Sequence, residues 1–217
     1  MKRFFTVILS AALFLMATDA FAQLSVGAGY LYSTLTSTYK GNAEDNEISN
    51  GLYMGAGFDI PIIGDNLKLT PGLYLNVLTN KVNANFAGVA SVQSKFTEVA
   101  INLPVYISYG IELRHANLFV YGGPTFQYGI SSKYKVDSTV AVPLIGVIAG
   151  DGVIDNYKEA DYSPFNIYLG GGLGADLNET LRVTLGFDYG LLNLYKGDQE
   201  NTKYNRYNFK LGFGYLF

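Results

Sequence analysis

The sequence predicts an all-β chain, an eight-stranded antiparallel up-and-down transmembrane β-barrel preceded by a cleaved signal peptide. Three observations predict it. Apolar residues alternate with small or polar ones in eight separate runs, the period of a strand with two unlike faces. The connections between runs alternate short and long, as in a barrel whose turns and loops segregate to opposite ends. The face opposite the apolar one collects glycines and a balanced set of charges.

The first element is an address. Lys2 and Arg3 precede an apolar run from Phe4 to Met16, and Ala20-Phe21-Ala22 offers small residues at a cleavage site. The run is too short to cross ~30 Å of hydrocarbon as a helix. Cleavage is expected before Gln23, leaving a single barrel domain over 23–217 after a signal peptide over 1–22.

The eight runs follow in order. The first carries Leu24, Val26, Ala28, Tyr30 and Tyr32 on its apolar face, the second Leu52, Met54, Ala56, Phe58 and Ile60. The third carries Leu67, Leu69, Pro71, Leu73, Leu75 and Val77; the fourth Val99, Ile101, Leu103, Val105 and Ile107. The fifth runs from Leu118 to Ile130, the sixth from Phe165 to Ala175, the seventh from Leu181 to Leu191 and the last from Tyr207 to Phe217. Each is about 9–13 residues, the length a tilted strand needs to span a bilayer. Short connections are read at 61–66, 110–116 and 178–180, and long ones at 40–50, 80–95, 132–163 and 193–205. An even strand count puts both termini at the short-turn end, expected to be periplasmic. Pro71, Pro104 and Pro124 fall inside runs, where proline removes a ladder donor, so bulges or strand ends are expected there.

Alternation alone does not say which face points outward. The apolar face carries no charge in any run, and its aromatics gather near the strand ends, where two belts would meet the lipid headgroups. The opposite face holds most strand glycines, mixed with Tyr53, Tyr74, Tyr106, Tyr121 and Tyr168, as filling a narrow lumen requires. On that face Lys68, Arg182, Arg206 and Lys210 stand against Asp59, Glu98, Asp176 and Asp188. Enclosed charges must be paired, so these are expected to form a structural network inside the barrel. The apolar face is therefore expected to touch lipid.

Several motifs carry a resemblance. The segment Phe96-Thr-Glu-Val-Ala-Ile-Asn-Leu-Pro-Val-Tyr-Ile-Ser-Tyr109 resembles the central strand of the outer-membrane β-barrel domain family, also called PorT-like or porin-family proteins. Tyr121-Gly-Gly-Pro-Thr-Phe126, Gly170-Gly-Gly-Leu-Gly174 and Phe187-Asp-Tyr-Gly-Leu-Leu-Asn193 are similar to later strands of that family. The terminal alternation through Phe213, Tyr215 and Phe217 looks like the signal read by the barrel-assembly machinery, which the resemblance implies as a partner in biogenesis. Membership implies an outer-membrane location and fold far more than an activity; the PorT-like likeness alone implies a role in a secretion or motility assembly.

Composition narrows the function classes. The chain is 217 residues, 49% hydrophobic and 15% charged, too apolar for disorder. A net charge of −3 without a basic stripe excludes a nucleic-acid binder. The absence of Cys and the single His exclude disulfides, thiolate chemistry and multi-histidine metal sites, and no cofactor or metal is expected. Lipid hydrolysis or acyl transfer would need a nucleophile with a base, and the only candidate base is His115, in a short turn, read as a solvated histidine with no catalytic residue beside it. The acidic groups Glu44, Asp45 and Glu47, and Glu159 and Asp161, are likewise read as solvated. Eight strands enclose an interior only wide enough for side chains, which argues against a diffusion pore.

What remains is a monomeric, non-enzymatic scaffold in outer-membrane lipid, its long loops serving surface recognition or envelope integrity through an extracellular or envelope protein partner. Within the loop over 132–163, the stretch 139–149 is strongly apolar, with Val142, Leu144, Ile145, Val147 and Ile148. Exposed, it would be a partner or lipid contact; otherwise it is a β-hairpin extending the fifth and sixth strands above the membrane.

Overall fold

The computed structural model describes residues 23–64, 66–86, 90–114, 116–142 and 146–217; the side chains of 43, 44, 86, 90, 139–142 and 146–148 are outside this description. The expected signal peptide over 1–22, His115 and the side chains of Val142, Leu144, Ile145, Val147 and Ile148 therefore lie outside the described residues.

Among the described residues there are nine strands: β1 (Gln23–Tyr39), β2 (Asn42–Ile63), β3 (Leu67–Phe86), β4 (Ala90–Leu113), β5 (Ala116–Val142), β6 (Gly146–Asp155), β7 (Phe165–Leu177), β8 (Leu181–Gly190) and β9 (Thr202–Leu216), with one short helix, α1 (Asn156–Glu159). Eight of them close a ring. The order β4-β3-β2-β1-β9-β8-β7-β5 is completed by pairing of β4 with β5, and every neighbour is antiparallel. Closure leaves no strand edge within the apolar band, as hydrocarbon demands of any spanning backbone. No described helix is long and apolar enough to cross a membrane. Gln23 and Phe217 both lie at the end that carries the short turns.

The ring is inverted relative to a water-soluble barrel. Outward residues such as Leu52, Leu73, Leu173 and Phe213 are about 60% exposed, whereas inward Asp59, Glu98, Ser132, Asn166 and Arg206 are almost fully buried. Outward aromatics cluster where the sequence places them. Phe187, Phe209, Tyr207, Tyr189 and Tyr32 touch one another near the long-hairpin end, with Phe187 and Phe209 centroids 4.8 Å apart. Tyr215 and Phe217 pair at the other end, also 4.8 Å apart. Phe213, Tyr215 and Phe217 are all exposed on this outward face of the last strand.

The lumen explains the glycines. Tyr53 lies over Gly29 and Gly212, Tyr74 over Gly55 and Gly72, and Tyr121 over Gly172 and Gly186; a Cβ at any of these positions would collide with the ring. Large rings fit into a narrow interior only where the facing wall is bare.

Three features depart from the sequence expectation. The strands are longer than the apolar runs, because the connections read as loops at 40–50 and 80–95 are continuations of the strands: Tyr39 pairs with Asn42, and Phe86 with Ala90. The 132–163 connection is also mostly ordered, but its hairpin joins β5 to the inserted β6 rather than to the next barrel strand. The prolines sit neither at register shifts nor at strand ends. Pairing skips between Gly57↔Gly72 and Ile60↔Leu69, between Pro71↔Val105 and Tyr74↔Asn102, and between Pro104↔Thr125 and Ile107↔Gly122, with the register unchanged across each gap. The missing donors are thus absorbed by one fault line crossing β3, β4 and β5, where Gly123 has φ 156° and a Cβ would strike the Val105 carbonyl.

The β1–β2 connection is a two-residue turn with Lys40 at φ 50° and Gly41 at φ 84°. Both positions of this primed turn need positive φ, which lysine resists and asparagine tolerates. Lys40→Asn is expected to raise stability by about 1 kcal/mol, measured as the urea midpoint of the β circular-dichroism signal in detergent; an unchanged or lower midpoint would contradict this reading of the turn.

Candidate functional site: a filled lumen and its rim

The inward side chains form three charged levels between the short-turn and long-hairpin ends. At the lowest, Arg182 of β8 donates from Nε to Asp176 Oδ1 at 2.6 Å and from Nη2 to Asp59 Oδ2 at 2.6 Å and Asp176 Oδ2 at 2.8 Å. Thr70 donates to the other oxygen of Asp59 at 2.9 Å, and the Phe119 ring lies 4.8 Å from the guanidinium carbon. In the middle, Lys210 Nζ meets Asp188 Oδ2 at 2.7 Å and donates to Tyr106 OH at 3.0 Å. At the top, Arg206 binds Glu98 through both terminal nitrogens, Nη2 reaching Oε2 at 3.1 Å, and both side chains are only 2–3% exposed.

Seven of the eight expected network residues are therefore brought together, in one triad and two pairs. Lys68 is not: it shares the inward face near the short-turn rim but has no ion-pair partner among the described residues. The even count misleads because a single guanidinium serves two carboxylates. Which charge meets which depends on the stagger of strands around the ring, and 123 positions separate Arg182 from Asp59.

Between the lower and middle levels lies a cavity of about 120 Å³, lined by Tyr53, Tyr74, Tyr106, Tyr121, Arg182 and Lys210. Hydroxyl, amide and charged groups punctuate a mainly apolar wall, the volume is enough for a few ordered waters, and Asn102 Nδ2, on that wall, has no partner among the described residues. Above it the bore is stopped. Leu31, Leu78 and Phe96 pack into an apolar cluster with Tyr53 and Tyr134 against it, beside the Arg206–Glu98 pair.

The connection after β6 adds a second stopper that the sequence did not reveal. Asp155 caps α1 by accepting from Tyr157 N at 3.2 Å, and Asn156 Nδ2 donates to buried Ser132 Oγ at 3.0 Å. The Tyr157 ring then fills the space over Gly129, stacked 5.9 Å from Tyr162. Tyr162 in turn lies 5.8 Å from the Arg206 guanidinium, and burial pushes its hydroxyl well above the ordinary phenol range, so it stays neutral. The available signal was tyrosines within polar connections, Tyr157 and Tyr162 between β6 and β7 and Tyr195 between β8 and β9, with Tyr162 and Tyr195 joined by a β-bridge.

Of the apolar stretch 139–149, the backbones of Val142, Val147 and Ile148 pair within the β5–β6 hairpin, opposite Gly146, Ala141 and Val140. Among the described residues no cluster of His, Cys, Asp and Glu has the arrangement of a metal site.

Removing one partner of a buried ion pair leaves an uncompensated charge. Glu98→Ala is expected to destabilise the barrel by about 3–5 kcal/mol in urea titrations in detergent. The double replacement Glu98→Leu with Arg206→Met is expected to recover most of that loss; a double variant as unstable as the single one would show that the pair is not acting as a pair.

No curated protein matches the sequence. Among solved structures, the attachment invasion locus protein Ail of Yersinia pestis is 12% identical, over 91% of this chain and 99% of that one, with a TM-score of 0.45. Neisserial surface protein A is 13% identical over 90% and 99%, with a TM-score of 0.44. OprG of Pseudomonas aeruginosa is 14% identical over 91% and 96%, with a TM-score of 0.38. The model of the outer membrane protein beta-barrel domain matches residues 17–196, most of the chain. With its closed eight-strand ring, lipid-type outer face and ion-paired interior, this chain belongs to the outer membrane protein beta-barrel domain family.

Proposed function

We propose that this protein is a monomeric, non-enzymatic scaffold that holds its long hairpins outside the cell, with both termini periplasmic, for surface recognition or envelope integrity. The observation that carries this reading is the contrast between the two parts of the molecule. The bore is stopped at several levels by the Arg182, Lys210 and Arg206 pairs and by the Leu31–Leu78–Phe96 cluster. The hairpins continue well beyond the apolar band, with β5 reaching Val142 and pairing with β6 over ten residues. A filled interior supports no diffusion of solutes, whereas loops on a rigid frame are where binding resides.

The partner is expected at the β5–β6 hairpin, whose tip holds Val142, Leu144, Ile145, Val147 and Ile148, a concentration of apolar residues that a surface-exposed segment rarely carries without a contact. Assembly signals at Phe213, Tyr215 and Phe217 fit delivery by the barrel-assembly machinery.

Reconstituted into planar bilayers, the full-length protein is expected to give no sustained open-pore current, and protease added to intact cells is expected to cut within 132–163. A stable conductance sinks the scaffold reading; cleavage only after the outer membrane is permeabilised sinks the orientation. A pull-down with 139–149 deleted is expected to lose an extracellular partner; loss of periplasmic or inner-membrane proteins instead would favour a secretion assembly.

A further inference from the structure

The outward face of β3, β4 and β5 changes character sharply above the apolar band. On β4 the outward residues run Val99, Thr97, Lys95 toward the hairpin tip, and on β3 they run Val77, Thr79, Lys81. The register sets Lys81 directly opposite Lys95, and Lys95 directly opposite Lys135 of β5. The row beneath is Thr79, Thr97 and Lys133. Four exposed ammonium groups are thus gathered on adjacent strands.

Like charges directly opposite each other destabilise a sheet. Barrel closure does not call for them, since the same height on β1 and β2 carries Thr36, Asn46 and Ile48. Internal neutralisation is slight. Lys135 meets Asp137 at 3.3 Å with both side chains about half exposed. Lys81, Lys95 and Lys133 have no ion-pair partner among the described residues. Asp137 and Asp151 lie beyond the lysines, toward the hairpin tip; Asp155 stands opposite Lys133 in the lower row, where its carboxylate meets Lys158 at 3.4 Å.

Lys95 and Lys81 each stand four residues past the last outward aliphatic on their strands. That is roughly 13 Å along a strand, and about 10 Å along the membrane normal at a tilt near 40°. Lys133 stands three residues past Ile130. Lysine stems lie along apolar surface and carry their ammonium groups to the headgroup level. We propose that this lysine face binds the phosphates of anionic lipid headgroups in the leaflet at the long-hairpin end. The patch is continuous with the lipid-facing band, and its charge complements phosphate at the height where phosphate lies. The inference uses only the barrel's place in a membrane, not the recognition role or the choice of leaflet, so the two fail separately.

The test uses full-length protein in a neutral detergent, with phosphatidylglycerol and phosphatidylcholine as probes and native mass spectrometry as readout. The wild type is expected to retain phosphatidylglycerol preferentially. Each lysine near an anionic surface contributes roughly fivefold, so replacing Lys81, Lys95 and Lys135 together by Gln is expected to reduce that preference at least tenfold. The same change at Lys40, Lys158 and Lys196 is expected to leave it unaltered. Lys95→Gln alone is expected to raise the unfolding temperature in detergent, by relieving repulsion, while shrinking the gain on adding phosphatidylglycerol. A preference that survives the triple replacement overturns the proposal, as does stabilisation by free pyrophosphate equal to that by the lipid.

Discussion

A backbone in hydrocarbon has no water to satisfy it, and this constraint shapes the molecule. It forces the ring to close, so that β4 pairs with β5 and β1 pairs with both β2 and β9. Closure at eight strands fixes a narrow bore, and the bore fixes the interior composition. Tyrosine rings supply bulk, and glycine supplies the room opposite them, as with Tyr53 over Gly29 and Gly212. The glycines, which would weaken an ordinary strand, are here the condition for packing the lumen. The proline fault line is tolerable for the same reason: a ladder closed on both sides can skip a pair without exposing an edge.

The charges follow from the same enclosure. Four carboxylates, Asp59, Asp176, Asp188 and Glu98, share three cations, Arg182, Lys210 and Arg206. The imbalance is sustained at the lowest level, where the guanidinium fork binds two acids at once and Thr70 donates to one of them. An ammonium there would present a point charge without that planar fork. The middle and upper pairs are one to one, and the upper is the most enclosed, with an apolar cluster beside it and the Tyr162 ring over the guanidinium. The interior is thus tightest near the rim and loosest around the cavity beneath.

Within the membrane band the sequence was legible because one physical rule, apolar outside and small or polar inside, acts on every residue. Above the band that rule lapses. Residues 34–38 of β1 are Thr-Leu-Thr-Ser-Thr, partly exposed on both faces, so no alternation marks them as strand. Only their β-propensity remained as a signal. The turn at Lys40-Gly41 lacks the Asn-Gly pattern that announces a hairpin, and β6 contains glycines that read as loop. The inward charges were identifiable by their face, yet their partners were not. Pairing across the bore is set by strand stagger, which no single strand encodes, and Lys68 was assigned to a network it does not enter.

The ring also separates what must stay fixed from what can change. Pairing of β2 with β3 stops at Asn50↔Thr79, and pairing of β8 with β9 stops at Tyr189↔Tyr207. Beyond those points the strands form two flaps, β9–β1–β2 and β3–β4–β5–β6, joined on the β9–β5 side by Leu194 N donating to the Tyr204 carbonyl, Ser163 N to the Leu194 carbonyl and Gly129 N to the Pro164 carbonyl. Each flap is anchored by strands that also build the wall, so its position is rigid while its outer residues answer to no packing demand from the lumen. The lysine row lies on the larger flap, on strands β3, β4 and β5 that also build the wall. A strand continued past the apolar band carries that row on a rigid element, so a lipid held at the lysines would brace the β5–β6 hairpin. The plug formed by Tyr157 and Tyr162 reinforces this, because it fastens the far end of the β5–β6 excursion to Gly129 and to the Arg206 guanidinium of the barrel itself.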